Sequence, residues 1–310
     1  MERIGIFGIG NVGKALCSRL SGSLLAKDVY LYGKNDAEIL GLVQDLEDAR
    51  FLLGGPLFHK GRYEDIALLD YVVITAGVTP KVQEGGDRNT GSQDAYKIIE
   101  DIANRLKKSS YSKDILVATN PLDVMTYAMK VLLPQCTVYG TGTLLESARL
   151  GSYLVDKRKA ALETVFPLAV GEHGPHTVLL SQMTRIGDHL LSEEGKDFQH
   201  LALEHVKSRG TDIAKLRRCT TEGIAASILV ILQARDGEED AVLPLSYPSL
   251  REKIAISRPC LIAKDTISPL VEEEDWTEEE KDQFEIAKKE IRKNIEKIPE
   301  LLRKEKEKEE

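Results

Sequence analysis

Two rhythms of apolar residues alternate along the first half of the chain. Short runs rich in β-branched and aromatic residues read as strands: Arg3-Ile4-Gly5-Ile6-Phe7, Val29-Tyr30-Leu31-Tyr32, Leu57-Phe58-His59, Leu69-Asp70-Tyr71-Val72-Val73-Ile74-Thr75, Ile115-Leu116-Val117-Ala118-Thr119 and Thr137-Val138-Tyr139. Between them the spacing lengthens to that of a helix, as in Ile39, Leu40, Val43 and Leu46, or Ile98, Ile99, Ile102, Ala103 and Leu106. This alternation predicts an α/β fold with a doubly wound parallel sheet and ligands at the carboxyl ends of the strands. The second half is less regular. An apolar run from Val165 to Val170, a helical pattern from Thr220 to Leu232, and Leu243 to Pro248 as strand and turn predict an α+β domain. Thr277-Glu278-Glu279-Glu280 has the form of a capping box, followed by an apolar stripe of Phe284, Ala287, Ile291, Ile295 and Ile298 that docks on the domain or on a neighbouring subunit. Residues 1–142 are expected to form a dinucleotide-binding domain and 143–310 a substrate domain, with Arg303 to Glu310 frayed.

The first strand runs directly into Gly8-x-Gly10-x-x-Gly13, and a helical segment follows. In this order Gly8 permits a tight turn, Gly10 admits a ligand close to the backbone, and Gly13 lets the helix pack against the strand. The amides and positive dipole end of that helix then face a pyrophosphate, as in a Rossmann dinucleotide site. A site for NAD carries an acid about 20 residues beyond the glycines, accepting from the adenine ribose hydroxyls. Here Gly33-Lys34-Asn35 occupies that place. Glycine leaves room for the extra phosphate of NADP and Lys34 can pair with it, which favours NADP over strict NAD. The alternative is a solvent-facing lysine, with NAD bound by other contacts.

Composition narrows the class further. The net charge of −8, with both signs mixed along 310 residues, argues against nucleic-acid and anionic-membrane partners. Cys17, Cys136, Cys219 and Cys260 are far apart, so buried free thiols in a reducing cytosol are expected. With neither a signal peptide nor a membrane-length apolar run, a soluble cytoplasmic protein is expected.

Candidate chemistry sits at the predicted strand ends. The loop from Val78 to Arg88 contains Gly85-Gly86 and has the character of a mobile lid, from which Arg88 can stabilise charge on a carbonyl oxygen. Asn120, before Pro121, can orient a carbonyl or hydroxyl, or be a simple turn residue. Glu146 and Arg149 share a helix face at i,i+3 spacing, either as a surface ion pair or as a carboxylate aimed at an imidazole and a guanidinium fork for a substrate carboxylate. His173, enclosed in Gly171-Glu172-His173-Gly174 at a strand end, suits proton transfer near neutral pH. The remaining histidines show no metal-ligand spacing, and no metal is expected.

Taken together, the glycine turn, Thr75-Ala76-Gly77, Asp87-Arg88, Asn120-Pro121, Gly140-Thr141-Gly142-Thr143, Ser147-Ala148-Arg149 and Gly171-Glu172-His173-Gly174 resemble, in order, the lactate/malate dehydrogenase superfamily of L-2-hydroxy acid dehydrogenases. The lid ending in Gly-Asp-Arg, the segment from Gly140 to Arg149, and Leu245-Ser246-Tyr247-Pro248 look closest to L-2-hydroxyisocaproate dehydrogenase. The resemblance implies that His173 exchanges a proton with the substrate oxygen and that Glu146 orients and stabilises its imidazole. It further implies that Arg149 clamps the substrate carboxylate, Arg88 polarises the carbonyl, Asn120 helps position it, and Thr220 lines the pocket. Gly8, Gly10, Asn11, Val12, Gly13, Gly33, Lys34, Thr75, Ala76, Gly77 and Asn120 would hold the cofactor, in a homodimer or homotetramer.

Three departures stand out. The family usually has aspartate where this chain has Glu146, so the His173 contact either loosens or is restored by a backbone shift. Gly33 replaces the usual acid. The lid is longer, so the residue that reads the substrate side chain is reached only by counting back from Arg88 to Val82, beside Lys81. Val82 favours an aliphatic monocarboxylate of the lactate or 2-hydroxyisocaproate type. A malate dehydrogenase using Lys81 for the second carboxylate is the rival, and a non-catalytic nucleotide-binding protein on the same fold is the rival of another class.

Overall fold

The computed structural model describes residues 1–78, 88–217, 219–264, 266–270 and 274–307, with backbone alone at 88–90. The N-terminal half follows the predicted alternation: β1 (Arg3–Phe7), α1 (Asn11–Leu20), β2 (Asp28–Tyr32), α2 (Asp36–Leu53), β3 (Leu57–Lys60), β4 (Tyr71–Ile74), α3 (Arg88–Lys108), β5 (Asp114–Val117), α4 (Leu122–Leu132) and β6 (Thr137–Gly140). These six strands lie parallel in the order β3-β2-β1-β4-β5-β6, the doubly wound arrangement.

Side-chain alternation explains why helices cover both faces. Ile4, Ile6, Tyr71, Val73 and Leu116 join a core with α1 and α2, whereas Phe7, Val72, Ile74, Ile115 and Val117 join the opposite core with α3 and α4. Each fully buried Val or Ile there contributes roughly 1.5–3 kcal/mol, so a strand with only one apolar face would forfeit half of this gain.

The second half comprises α5 (Leu144–Arg158), β7 (Val165–Phe166), β8 (Ala169–Gly171), β9 (Thr177–Leu179), β10 (Arg185–Ile186), β11 (His189–Leu190), α6 (Lys196–Arg217), α7 (Glu222–Asp236), β12 (Ala241–Ser249), β13 (Ile254–Ala263), β14 (Thr266–Pro269), α8 (Glu278–Glu296) and α9 (Pro299–Lys306). Its long antiparallel strands extend the parallel sheet, because β12 joins β6 through the Ser246–Gly140 pair and continues to β13, β8 and β9. Antiparallel strands reach that edge without crossover helices, which the apolar pattern of 243–248 did not reveal. Arg235 of α7 also ties back to the first half, its Nε donating to Asp114 Oδ2 at 2.6 Å.

Thr277 and Glu280 form the expected capping box, and the stripe from Phe284 to Ile298 is buried against the chain's own core. The end of the chain corrects an expectation. Residues 303–306 continue α9, since Pro299 occupies its first turn and Leu301 is buried. Among the described residues, no helix is long and apolar enough to cross a membrane.

Candidate active site

The carboxyl ends of β1, β2, β4 and β5 converge on the glycine turn. Gly8 has φ of +110°, and a Cβ there would lie 2.2 Å from Ala76 N, so both backbone angle and close approach require glycine. At Gly13 a Cβ would meet Gly8 O at 2.1 Å, which keeps α1 tight against the turn. Gly10 differs, because nothing lies within 4 Å of a Cβ added there. Gly10 caps α1 without a side-chain bond, and the first turn contains no acid. Open space, unsatisfied amides and the positive end of a helix dipole fit a pyrophosphate.

Thr75 Oγ1 donates to Gly8 O and Thr119 Oγ1 to Ala76 O, each at 2.6 Å, which draws Thr75-Ala76-Gly77 and the end of β5 up to the turn. Asn120 is exposed immediately beyond that end. Gly33 follows β2 with Ile39 Cδ1 3.2 Å from a Cβ position there, and Lys34 is exposed. Asn11 Nδ2 lies 3.2 Å from Cys219 Sγ, so the α6–α7 connection carrying Thr220 abuts the same turn. Cys17, Cys136 and Cys260 are buried thiols as expected; Cys219 is only half-buried, since it caps this edge instead of entering a core.

The acid-base candidates meet on the other side of β6. Thr143 Oγ1 donates to Ala169 O at 2.6 Å, and Ala169 N donates to Ser147 Oγ at 2.9 Å. These bonds stitch the start of α5 to β8. Gly171, at φ +90°, ends β8 where a Cβ would lie 2.7 Å from His176 O, and the chain turns to present His173. As a result His173 Nδ1 is 3.0 Å from Glu146 Oε2, while Arg149 Nη1 donates to Glu146 Oε1 at 3.0 Å. The side chains are 18%, 4% and 12% exposed for His173, Glu146 and Arg149, so this is no surface ion pair.

The extra methylene of Glu146 therefore does not loosen the imidazole contact. It lets one carboxylate reach both the imidazole and the guanidinium. Arg149 Nε is buried with no hydrogen-bond partner among the described residues, and Nη2 faces Gly210 of α6, where a Cβ would approach to 3.1 Å.

Electrostatics follow from this packing. Burial acts to raise Glu146, but the His173 and Arg149 charges outweigh it and hold the carboxyl below its usual value. Burial acts to lower His173. The charge of Glu146, its hydrogen bond and the charge of Asp123 outweigh this and the opposing Arg149, leaving the imidazole above its ordinary value.

Asp123 is a residue that sequence reasoning missed. It sits in the first turn of α4, is buried, accepts from His173 N at 2.9 Å and from Ser246 Oγ at 2.6 Å. A signal was present: one carboxylate among apolar neighbours in the first turn of a predominantly apolar helix, three residues after Asn120. Lys81 and Val82 lie outside the described residues. Arg88 opens α3, but its side chain is also outside them.

Comparison with known proteins agrees with this architecture. Residues 2–134 match the lactate/malate dehydrogenase NAD binding domain, and residues 143–302 match the lactate/malate dehydrogenase alpha/beta C-terminal domain. The chain is 29% identical over 293 residues to L-lactate dehydrogenase of Nitratidesulfovibrio vulgaris, covering 88% of this chain and 94% of the relative. Its fold resembles a lactate dehydrogenase from a Medee basin deep-sea metagenome library, with TM-score 0.88, 22% identity and coverage of 96% and 98%. It also resembles malate dehydrogenase of Aeropyrum pernix, with TM-score 0.84, 24% identity and coverage of 96% and 99%. With both halves matched in order, this chain belongs to the lactate/malate dehydrogenase family.

Proposed function

We propose that the protein interconverts a 2-oxo acid and an L-2-hydroxy acid, with an aliphatic monocarboxylate of the lactate or 2-hydroxyisocaproate type as substrate. The observation that carries this reading is the buried Arg149–Glu146–His173 chain, which combines a carboxylate clamp with an oriented proton carrier. Glu146 accepts from His173 Nδ1, so Nε2 is the position that donates a proton when the ring is charged and takes one when it is neutral. With Nη1 on Glu146 and Nε without a partner among the described residues, the Nε–Nη2 edge of Arg149 is the fork for a substrate carboxylate. Arg88 polarises the reacting carbonyl, Asn120 positions it and Thr220 borders the pocket. Gly8, Gly10, Asn11, Val12 and Gly13 hold the cofactor phosphates, beside Thr75, Ala76 and Gly77. The hydride comes from, or returns to, the nicotinamide when the cofactor is bound. Gly33 and exposed Lys34 support acceptance of NADP, favoured over strict NAD.

Initial rates of NADH and NADPH oxidation with 4-methyl-2-oxopentanoate, pyruvate and oxaloacetate test the whole reading. Aliphatic 2-oxo acids are expected to outrun oxaloacetate, and NADPH to be used. Faster oxaloacetate turnover would favour the malate reading through Lys81. Cofactor binding without turnover would favour the non-catalytic one.

The Glu146→Asp variant is expected to be slower. With α5 fixed to β8, the shorter side chain cannot span both partners, and losing one charged hydrogen bond costs roughly 1.5–3 kcal/mol, or about 10–150-fold in kcat/KM. Steady-state kinetics check this; a faster variant would mean that glutamate strains the site.

A further inference from the structure

We infer that Asp123 is a positioning residue for proton transfer, fixing the His173 backbone and holding the charge of its imidazolium independently of Glu146. The inference rests on the dehydrogenase reading above. Asp123 belongs to α4, in the half that carries the cofactor turn, whereas His173 follows β8 and Ser246 lies on β12. Its two oxygens join the three elements: Oδ2 accepts from His173 N at 2.9 Å, and Oδ1 accepts from Ser246 Oγ at 2.6 Å. The residue is 3% exposed, and its helix neighbours Leu122, Val124 and Met125 are buried apolar side chains.

A neutral amide could accept the His173 N–H equally well. Burying a carboxylate is costly unless its charge does something an amide cannot. Among the described residues, the charged and titratable groups around Asp123 are His173 and Glu172, both from the turn after β8; β12 contributes the Ser246 hydroxyl. Around His173, among the described residues, they are Glu146 and Arg149 of α5 and Asp123 of α4. Burial pushes Asp123 up to about 6, against the bonds from the Ser246 hydroxyl and the His173 N–H and against the His173 charge, with Glu172 adding to the rise. In its ionised form the carboxylate favours the protonated imidazole of His173, whose backbone it holds.

The test is Asp123→Asn in the full chain, which retains the acceptor and removes the charge. The His173 ring signal, assigned by its loss in His173→Gln, is titrated by NMR, and kcat for reduction of a 2-oxo acid is followed against pH. The midpoint is expected to move to lower pH, with a loss of reduction rate that reaches at least about threefold above the wild-type midpoint. An unmoved midpoint overturns the inference, even if activity falls, because a merely structural role predicts that result. A shifted midpoint with an unchanged pH profile of reduction also overturns it.

Should Asp123→Asn fail to fold, Asp123→Ser, which keeps a small acceptor and removes the charge, should move the His173 midpoint in the same direction; no movement there overturns the inference as well. The ring titration needs no turnover. If the wild-type protein reduces no 2-oxo acid, the dehydrogenase reading fails, and the role in proton transfer falls with it whatever the midpoint does.

Discussion

His173→Gln is expected to lower kcat for 2-oxo acid reduction by about 10²–10⁴-fold, the usual worth of a positioned general acid or base. Glutamine can still donate to Glu146 but cannot carry a proton to the substrate oxygen. Cofactor affinity should hold, because the glycine turn and the ends of β4 and β5 do not depend on the imidazole. The sign of the pH dependence follows from the site. Reduction needs the charged ring, so the wild-type rate should fall as pH rises through the His173 pKa, which lies above the ordinary 6.5 because the charge and hydrogen bond of Glu146 and the charge of Asp123 overcome burial. Oxidation needs the neutral ring and should rise through the same window. In His173→Gln this dependence should vanish. Stopped-flow or steady-state rates across pH, with cofactor binding followed by fluorescence, check it; a kcat within tenfold of wild type would remove His173 from the chemistry.

The second large effect is expected at Arg149. Arg149→Lys keeps a positive charge but replaces a planar fork by a point donor, and should lower kcat/KM by about 10–10³-fold. Most of the loss should appear in KM, since a carboxylate is held in both ground and transition states. A smaller part should appear in kcat, because Glu146 Oε1 loses its 3.0 Å donor and orients His173 less firmly. This split separates Arg149→Lys from His173→Gln, where kcat takes the loss. Near-normal kinetics would place the carboxylate on another group.

Much of this was legible along the chain. The short apolar runs and the helical spacing between them predicted the parallel half, because strands covered on both faces must be apolar throughout, as Val72 to Ile74 and Ile115 to Val117 are. Gly8 and Gly13 could be read as obligatory because their spacing reflects a local backbone requirement, and the open space at Gly10 has the same local origin. His173, Glu146 and Arg149 could be named as candidates from residue type and motif order. Their meaning could not: at i,i+3 spacing Glu146 and Arg149 are equally compatible with a surface ion pair.

Only the folded chain decides that question. Burial of Glu146 and its approach to His173 depend on Thr143 and Ser147 bonding Ala169, residues more than twenty positions away. Asp123 gains its place only when α4, the β8 turn and β12 meet. Local periodicity reports which face of an element turns inward, and motif order names the chemical groups. Which buried groups touch is set by the packing of distant elements, and in a low-dielectric interior those contacts decide which groups carry charge.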